Sequence, residues 1–487
     1  MVIALGVFES PAQHQDQPHH GHPPWGPVSK GAFVKQSKLM MVIAASAASV
    51  ALLAGCSSGS SGSTSSEPKK ITVAYETTAS FNQMQNLMAT AKKEFEASHP
   101  GVTVNLEPIN AENADYYTKL ALLDRSASTA PDVQYEDTFK IQADAAAGYL
   151  LPLDSYLSKW KDWSQFTGNA KLAGKGPDGK TYGVSLGTDT RALWYNKDLF
   201  KQAGLPTDWK PKTWADVIAA AKTIKAKLPG VIPINVYSGT PAGEASTMQG
   251  FEMLLYGTAN QLTQGTKWVA GSKGFTDSLK FVQTIYQNGL GPSLSEALDP
   301  NIFTNVSNVW LPKGQLAIDL DGSWQSGSWI TGGTAPWPAW TTTMGVTPFP
   351  TENGQAPGAN SMSGGWTLAV GKHSKSPDLA VQFLETAENQ KNELSYDIAD
   401  SQVAVRKDVA NDPKYASANP TFKFFSSLVA LTHFRPATTP YTQVSTAIQT
   451  AMESVMTGQQ SPAQATQVYG SALPGIVGAS NVTKAAK

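Results

Sequence analysis

From Lys69 onward the apolar positions change period again and again. Ile71-Thr72-Val73-Ala74-Tyr75 alternates apolar and polar positions, the mark of a strand. Phe81, Met84, Leu87, Met88, Ala91 and Phe95 then fall three and four apart, the spacing of one helix face. His99-Pro100-Gly101 breaks that helix, and Val102-Thr103-Val104-Asn105-Leu106 reads as a second strand. A helix over Tyr116–Leu123 follows, then Pro131-Asp132-Val133-Gln134-Tyr135, a strand that ends in Glu136-Asp137. Further on, Thr213 precedes Trp214-Ala215-Asp216 as an N-cap, with Asp216 near the positive end of the helix dipole. Ser376-Pro377 opens another helix with proline at its first position. Strands alternating with helices argue for α/β layers with mainly parallel sheets. In such sheets ligands sit beyond the carboxyl ends of strands, so polar and aromatic residues just past strands are the ones to examine.

The chain before Lys69 has a different pattern. Lys30, Lys35 and Lys38 precede an unbroken small and apolar run, Leu39–Leu53. A basic patch followed by such a run reads as an export signal, and the run is short of the ~20 apolar residues a spanning helix needs. It ends in Leu53-Ala54-Gly55-Cys56, which resembles the lipobox of bacterial lipoproteins. That resemblance implies cleavage before Cys56, diacylglycerol on its sulfur, and anchoring to the cell membrane by acyl chains. A buried small side chain is the other reading of Cys56, but the Ser/Gly tract that follows argues against a packed core there. Residues 1–29, rich in His, Pro and Gln, are read as disordered or as a start placed too far upstream. Residues 30–55 are then the signal peptide, and 56–68 a flexible linker.

Composition bounds the remainder. Of 487 residues only Cys56 is a cysteine, which excludes an internal disulfide. From Cys56 onward there are 34 basic and 36 acidic residues, so no electrostatic footprint for nucleic acid exists. Only His99, His373 and His433 remain of the histidines, which argues against a histidine metal site, and nothing in the chain calls for a cofactor. Trp310, Trp324, Trp329, Trp337, Trp340 and Trp366 crowd one region, in which Pro336–Trp340 (PWPAW) reads as a loop. Several tryptophans at a cleft suit a carbohydrate; a core cluster accounts for about half of them equally well.

Three stretches carry a resemblance. YGVSLGTDTRALWYNKDLFKQAGLP (Tyr182–Pro206), GQLAIDLDGSWQSGSW (Gly314–Trp329) and SGGWTLAVGKHSKSPDLAVQFLE (Ser363–Glu385) resemble, in order, segments of the extracellular solute-binding proteins of ABC importers, in the maltose-binding-like branch of family 1. Pro131–Asp154 adds a weaker match. The resemblance implies an α/β, two-lobed periplasmic-binding-protein fold of type II, with discontinuous lobes joined by hinge strands. One lobe would hold residues 69–186 and 364–432, the other 187–363 and 433–487. The chain would cross near Leu186–Thr190, Asn360–Gly364 and His433–Pro440. The resemblance also implies an extracytoplasmic, lipid-anchored monomer that is not an enzyme. It would take a carbohydrate into the cleft between lobes and pass it to the transmembrane subunits of an ABC permease.

Candidate ligand contacts follow where residues match. Asp189, six positions before Tyr195, falls where a family carboxylate accepts from sugar hydroxyls. Its other reading is a turn cap or a partner for Arg191. Trp324 falls where a family indole stacks on a pyranose face, with Asp321 and Ser323 beside it. Glu136 and Asp137 end the third strand, and Tyr75 and Glu76 end the first. Trp366 follows Gly364-Gly365, small residues that let backbone approach a ligand closely. Arg435 lies at the third crossing, as a hinge salt bridge or a ligand contact.

Other classes fare less well. The chain has no H-E-x-x-H and no P-loop, and Gly55–Gly59 matches G-x-S-x-G only inside the lipobox and linker. An anchored glycoside hydrolase, an adhesin, and a binding protein for glycerol phosphate or a polyamine stay open as alternatives. Phosphate recognition calls for several arginines, and the chain has four: Arg125, Arg191, Arg406 and Arg435.

Overall fold

A computed structural model describes residues 69–484. The basic patch, the apolar run, Cys56 and the linker lie outside the described residues.

The opening elements follow the hydrophobic pattern. Strand β1 (Lys69–Thr77), helix α1 (Gln83–Ser98), strand β2 (Val102–Asn110), helix α2 (Asn113–Asp124) and strand β3 (Val133–Asp137) come in that order. Ile71, Val73 and Tyr75 of β1 enter one core with Met84, Leu87 and Phe95 of α1, while Ala74 packs on the other face with Tyr116 and Leu120 of α2. Both faces of the strand are covered, so its alternation sorts side chains between two cores rather than between core and water. α1 stops at His99, whose N–H bonds the Phe95 carbonyl at 2.9 Å, and Gly101 turns the chain into β2 at φ 86°.

The first sheet has the order β2, β1, β3, Trp366–Val370, β4 (Gly183–Leu186). β1 runs parallel to β2 and β3, whereas Trp366–Val370 runs antiparallel to β3 and β4. The second sheet has the order Met344–Thr347, β5 (Arg191–Asn196), Leu316–Gly322, β6 (Ile232–Asn235), and only its last pair is parallel. The mainly parallel sheets expected from the element order are therefore mixed sheets. Alternating order predicts parallel pairing only where the chain returns to a neighbouring strand by a local crossover. Here a strand enters the first sheet after a long excursion through the second.

Around the second sheet lie the helices Trp214–Lys227, Lys273–Gln287, Tyr441–Met456 and Pro462–Val477, joined in one large apolar cluster. The Thr213 cap forms as a full capping box: Thr213 Oγ1 accepts the Asp216 N–H at 3.2 Å, and Asp216 Oδ2 accepts the Thr213 N–H at 3.0 Å. Such a cap contributes on the order of 1 kcal/mol. Pro377 stands at the start of its helix as expected.

Most of the crowded tryptophans are core. Trp310, Trp329 and Trp340 are buried with Trp194 and Phe425, and Trp337 packs against them. Trp329 lies edge-on to Trp194 at 5.4 Å, and its indole N–H donates to the Ser307 carbonyl at 2.8 Å. The PWPAW run is a loop until Trp340, which opens a short helix, Trp340–Thr343.

The crossings are laced together. The chain passes from β4 to β5 between Leu186 and Arg191, and strand Ala359–Met362 runs parallel to Thr432–His433. The Ser363 hydroxyl donates to the Asp189 carbonyl at 2.6 Å, and the Thr188 hydroxyl to the Gly364 carbonyl at 2.9 Å. The Arg191 N–H donates to the Ser361 hydroxyl at 2.8 Å. The two glycines before Trp366 allow this close packing of the crossings, and Gly365 also lines the cavity described below. Gly365 has φ 120°, and a Cβ there would meet the Gly187 carbonyl oxygen at 2.9 Å.

Candidate functional site

The two sheets point the ends of β1, β3 and Leu316–Gly322 at one cavity. Seven of the nine expected ligand contacts line it: Asp189, Trp324, Trp366, Asp321, Asp137, Glu76 and Arg435. Tyr75 and Glu136 do not. Tyr75 is 1% exposed in the first core, one residue out of phase with Glu76. Glu136 is likewise out of phase with Tyr135 and Asp137, both of which line the cavity. Its carboxylate accepts from Gln134 Nε2 at 2.8 Å, near Asp144 and Asp124, and burial holds it well above the usual carboxylate range. Phase alone does not decide these cases. The register Val73↔Val133 puts Tyr75 in phase with Tyr135 and Glu136 in phase with Glu76, both cavity residues. Burial under neighbouring elements takes Tyr75 and Glu136 off the wall. Ser323, named beside Trp324, is buried and off the cavity wall.

One wall is aromatic. Trp366 stacks on Tyr135 with centroids 4.4 Å apart and planes 6° apart, and on Tyr117 at 5.9 Å. The register Trp366↔Asp137 sets that wall beside a carboxylate, which accepts the Tyr117 hydroxyl at 3.1 Å.

The opposite wall belongs to the second sheet. Trp324 lies under the Arg191 guanidinium, 4.7 Å from its ring centroid. The indole folds back over its own strand end, so a Cβ at Gly322 would fall 2.0 Å from the ring. Asp321 accepts the Tyr237 hydroxyl at 2.9 Å and the Gly322 N–H at 2.7 Å, and burial pushes its carboxyl up to about 6.

Both cavity arginines already hold carboxylates. Arg191 pairs with Asp189, and Arg435 pairs with Asp137 and lies 3.5 Å from Glu244. Arg435 thus joins the last crossing to the first sheet and to the segment that carries Glu244. The lining residues not singled out from the sequence as ligand contacts include Glu112, Tyr117, Glu244, Asp400 and Gln402. None ends a strand of either large sheet, so the rule of looking past strand ends missed them. The one available signal was a charged residue in an apolar setting. Burial pushes Asp400 up to about 7, and raises Glu244 against the pull of Arg435, Tyr441 and Ser445.

Among the described residues no group of three or more His, Cys, Asp or Glu could hold a metal ion, and no helix is long and apolar enough to cross a membrane. What the cavity offers is flat apolar faces next to hydrogen-bond acceptors. That combination suits a ligand with both C–H faces and hydroxyl or amine donors.

Comparison with known proteins places this architecture. The chain is 31% identical over 204 residues to a protein of Brucella abortus described as a binding protein, covering 41% of this chain and 46% of that one. It thus spans about half the length of that relative. It is 23% identical over 405 residues to the galactooligosaccharide-binding protein of Bacillus subtilis, covering 82% and 88% of the two chains. A shorter stretch of 166 residues is 30% identical to the sn-glycerol-3-phosphate-binding periplasmic protein of Rhizobium meliloti, covering 34% and 35%. In fold it matches the GacH receptor of Streptomyces glaucescens with a TM-score of 0.72 at 23% identity, covering 85% of this chain and all of that one. The model for bacterial extracellular solute-binding proteins matches residues 78–393. With that match across most of both lobes and the two-lobed architecture around one cavity, the chain belongs to the bacterial extracellular solute-binding protein family.

Proposed function

We propose that this protein captures a carbohydrate, an oligosaccharide in view of the two separate indole faces on the cavity walls, and delivers it to the membrane subunits of an ABC importer. The observation that carries the reading is the cavity with an indole on each wall and carboxylates beside each indole. Trp366 and Trp324 offer faces for pyranose rings, and Asp137 and Asp321 offer acceptors for hydroxyls at their edges. The long match to a galactooligosaccharide-binding protein supports the same class. In this reading the protein works as a monomer outside the cytoplasm, tethered through lipid on Cys56, and it binds without chemistry.

A second reading is favoured by the shorter match to a glycerol-phosphate-binding protein. The cavity argues against it. A phosphate would have to take Arg191 and Arg435 from the carboxylates they already pair with, in a site where carboxyls outnumber guanidiniums.

Intrinsic tryptophan fluorescence of the purified chain, titrated with oligosaccharides and with glycerol 3-phosphate, tests the proposal. A saturable change with a sugar class supports it. A response to glycerol 3-phosphate alone sinks it, and release of free sugar during incubation would indicate a hydrolase.

A further inference from the structure

One stretch of the cavity wall comes from a helix of uncommon geometry. Residues 244–257 are helical, and Ser246–Glu252 within them is wound as a π-helix. Such turns are rare and occur mostly at functional sites. All seven residues of the stretch are buried, and Ser246, Thr247, Gln249 and Glu252 are polar. Three of these four are tied to the body of the protein. The Ser246 hydroxyl donates to the Gly239 carbonyl at 2.6 Å, the Thr247 and Ser445 hydroxyls share a hydrogen bond at 2.7 Å, and Glu252 accepts the Tyr441 hydroxyl at 3.3 Å. Gln249 instead lines the cavity. Its backbone is held in place by Gly250, where a Cβ would fall 2.2 Å from the Tyr237 carbonyl oxygen just past β6.

Gln249 is 7% exposed, and its carboxamide meets no hydrogen-bond partner among the described residues. The other two buried amides on the cavity wall are committed. Gln402 Nε2 donates to Asp400 at 2.6 Å. Gln83 Nε2 donates to the Gly332 carbonyl at 3.4 Å, and its Oε1 accepts from Asn86 at 3.2 Å. Leaving a buried amide unpaired is costly, and buried polar groups in folded proteins nearly always have a partner. For Gln249 the open side is the cavity.

We propose that Gln249 is a ligand contact that selects which carbohydrate this protein holds. Its Nε2 donates to one hydroxyl oxygen, and its Oε1 accepts from the hydroxyl on the neighbouring carbon. This rests on the carbohydrate reading above and narrows it to sugars with two free adjacent hydroxyls at this position. An ionised carboxylate only accepts, so it takes any hydroxyl that can donate. A carboxamide donates and accepts at a fixed separation, so it requires an acceptor beside that donor. A site built this way discriminates against the analogue that lacks one of the two hydroxyls.

The test is calorimetric titration of the full chain and of Gln249→Met, which keeps the length of the side chain and removes both polar atoms. The probes are maltotriose, cellotriose, mannotriose and galactotriose, then the monodeoxy forms of the best-bound one. Gln249→Met should weaken that sugar about tenfold. Two neighbouring monodeoxy forms should lose a similar factor in the parent chain and nothing further in the variant. Without sugar the variant should melt no lower than the parent, because an apolar chain of similar shape replaces an unpaired buried amide. Equal affinity of parent and variant overturns the assignment and leaves the carbohydrate reading intact. So do equal losses from deoxygenation in both chains, which would give Gln249 a structural role only. A melting temperature lowered by the substitution overturns it too, since the amide would then have its partner within the protein. Binding of spermidine or glycerol 3-phosphate with no response to any of the sugars overturns both readings.

Discussion

Asp189 accepts the backbone N–H of Gly364 at 2.8 Å, joining two crossings that lie 175 positions apart in the chain. The same carboxylate pairs with Arg191, and a Cβ at Gly364 would lie 3.6 Å from it. A residue expected to receive sugar hydroxyls is therefore also a fastener of the hinge.

That double role separates two substitutions. Asp189→Ala leaves Arg191 buried without its counter-ion, and should cost about 3–5 kcal/mol of stability. Asp189→Asn keeps an acceptor for the Gly364 N–H and should cost less, while still weakening ligand binding. Thermal unfolding of the two variants checks this. An Asp189→Ala protein as stable as the parent would remove the hinge role.

Trp324 and Trp329 should respond in opposite ways. Trp324→Ala removes a cavity face and should weaken sugar binding about tenfold or more with little loss of stability. Trp329→Ala removes a buried indole and should cost about 3–5 kcal/mol of stability. Titration and unfolding on both variants measure the split. Equal effects of the two on affinity would contradict the assignment.

Gly322→Ala probes the seat of the Trp324 ring. The added methyl would fall 2.0 Å from the indole, so the ring must swing away from its strand. Sugar affinity should drop about as far as in Trp324→Ala. The fold should persist, because the neighbouring group that must move is a side chain at the cavity wall. Unchanged affinity would show that the ring sits elsewhere when ligand is bound.

Stability should fall as pH rises from mildly acidic to mildly alkaline. Burial raises Glu252 from 4.5 to about 8 and Asp400 from 3.8 to about 7. A carboxyl raised on folding binds its proton more tightly in the folded state. Its contribution is complete below the unfolded value and is lost as pH climbs through the folded one. The melting temperature should therefore be higher near about pH 5 than near about pH 8. Asp277 and Asp408, whose carboxyls are lowered by lysine and arginine partners, act the other way, but only below the ordinary aspartate value of 3.8. A Glu252→Gln variant should flatten the dependence; an unchanged slope would place the titration on other groups.

The sequence by itself determined the local elements and much of the site. Alternation at Ile71–Tyr75 and helical spacing from Phe81 to Phe95 are one-dimensional signals, set by which side each residue presents. The stretches around Asp189, Trp324 and Trp366 led to the cavity through their resemblance to family segments, and Glu76 and Asp137 through the rule that strand ends face the cleft in layered α/β folds. Phase was harder to read. At the ends of β1 and β3 one residue of each adjacent pair faces the ligand, and with both faces covered the alternation gave no polar side to choose by. That is why Tyr75 and Glu136 were named alongside Glu76 and Asp137. Only the tertiary structure decided that most of the crowded tryptophans are core, that Arg435 pairs with Asp137 across 298 positions, and that Glu112 and Glu244 join the cavity. Those facts depend on which distant segments the crossings bring together. No period or spacing within a segment encodes that.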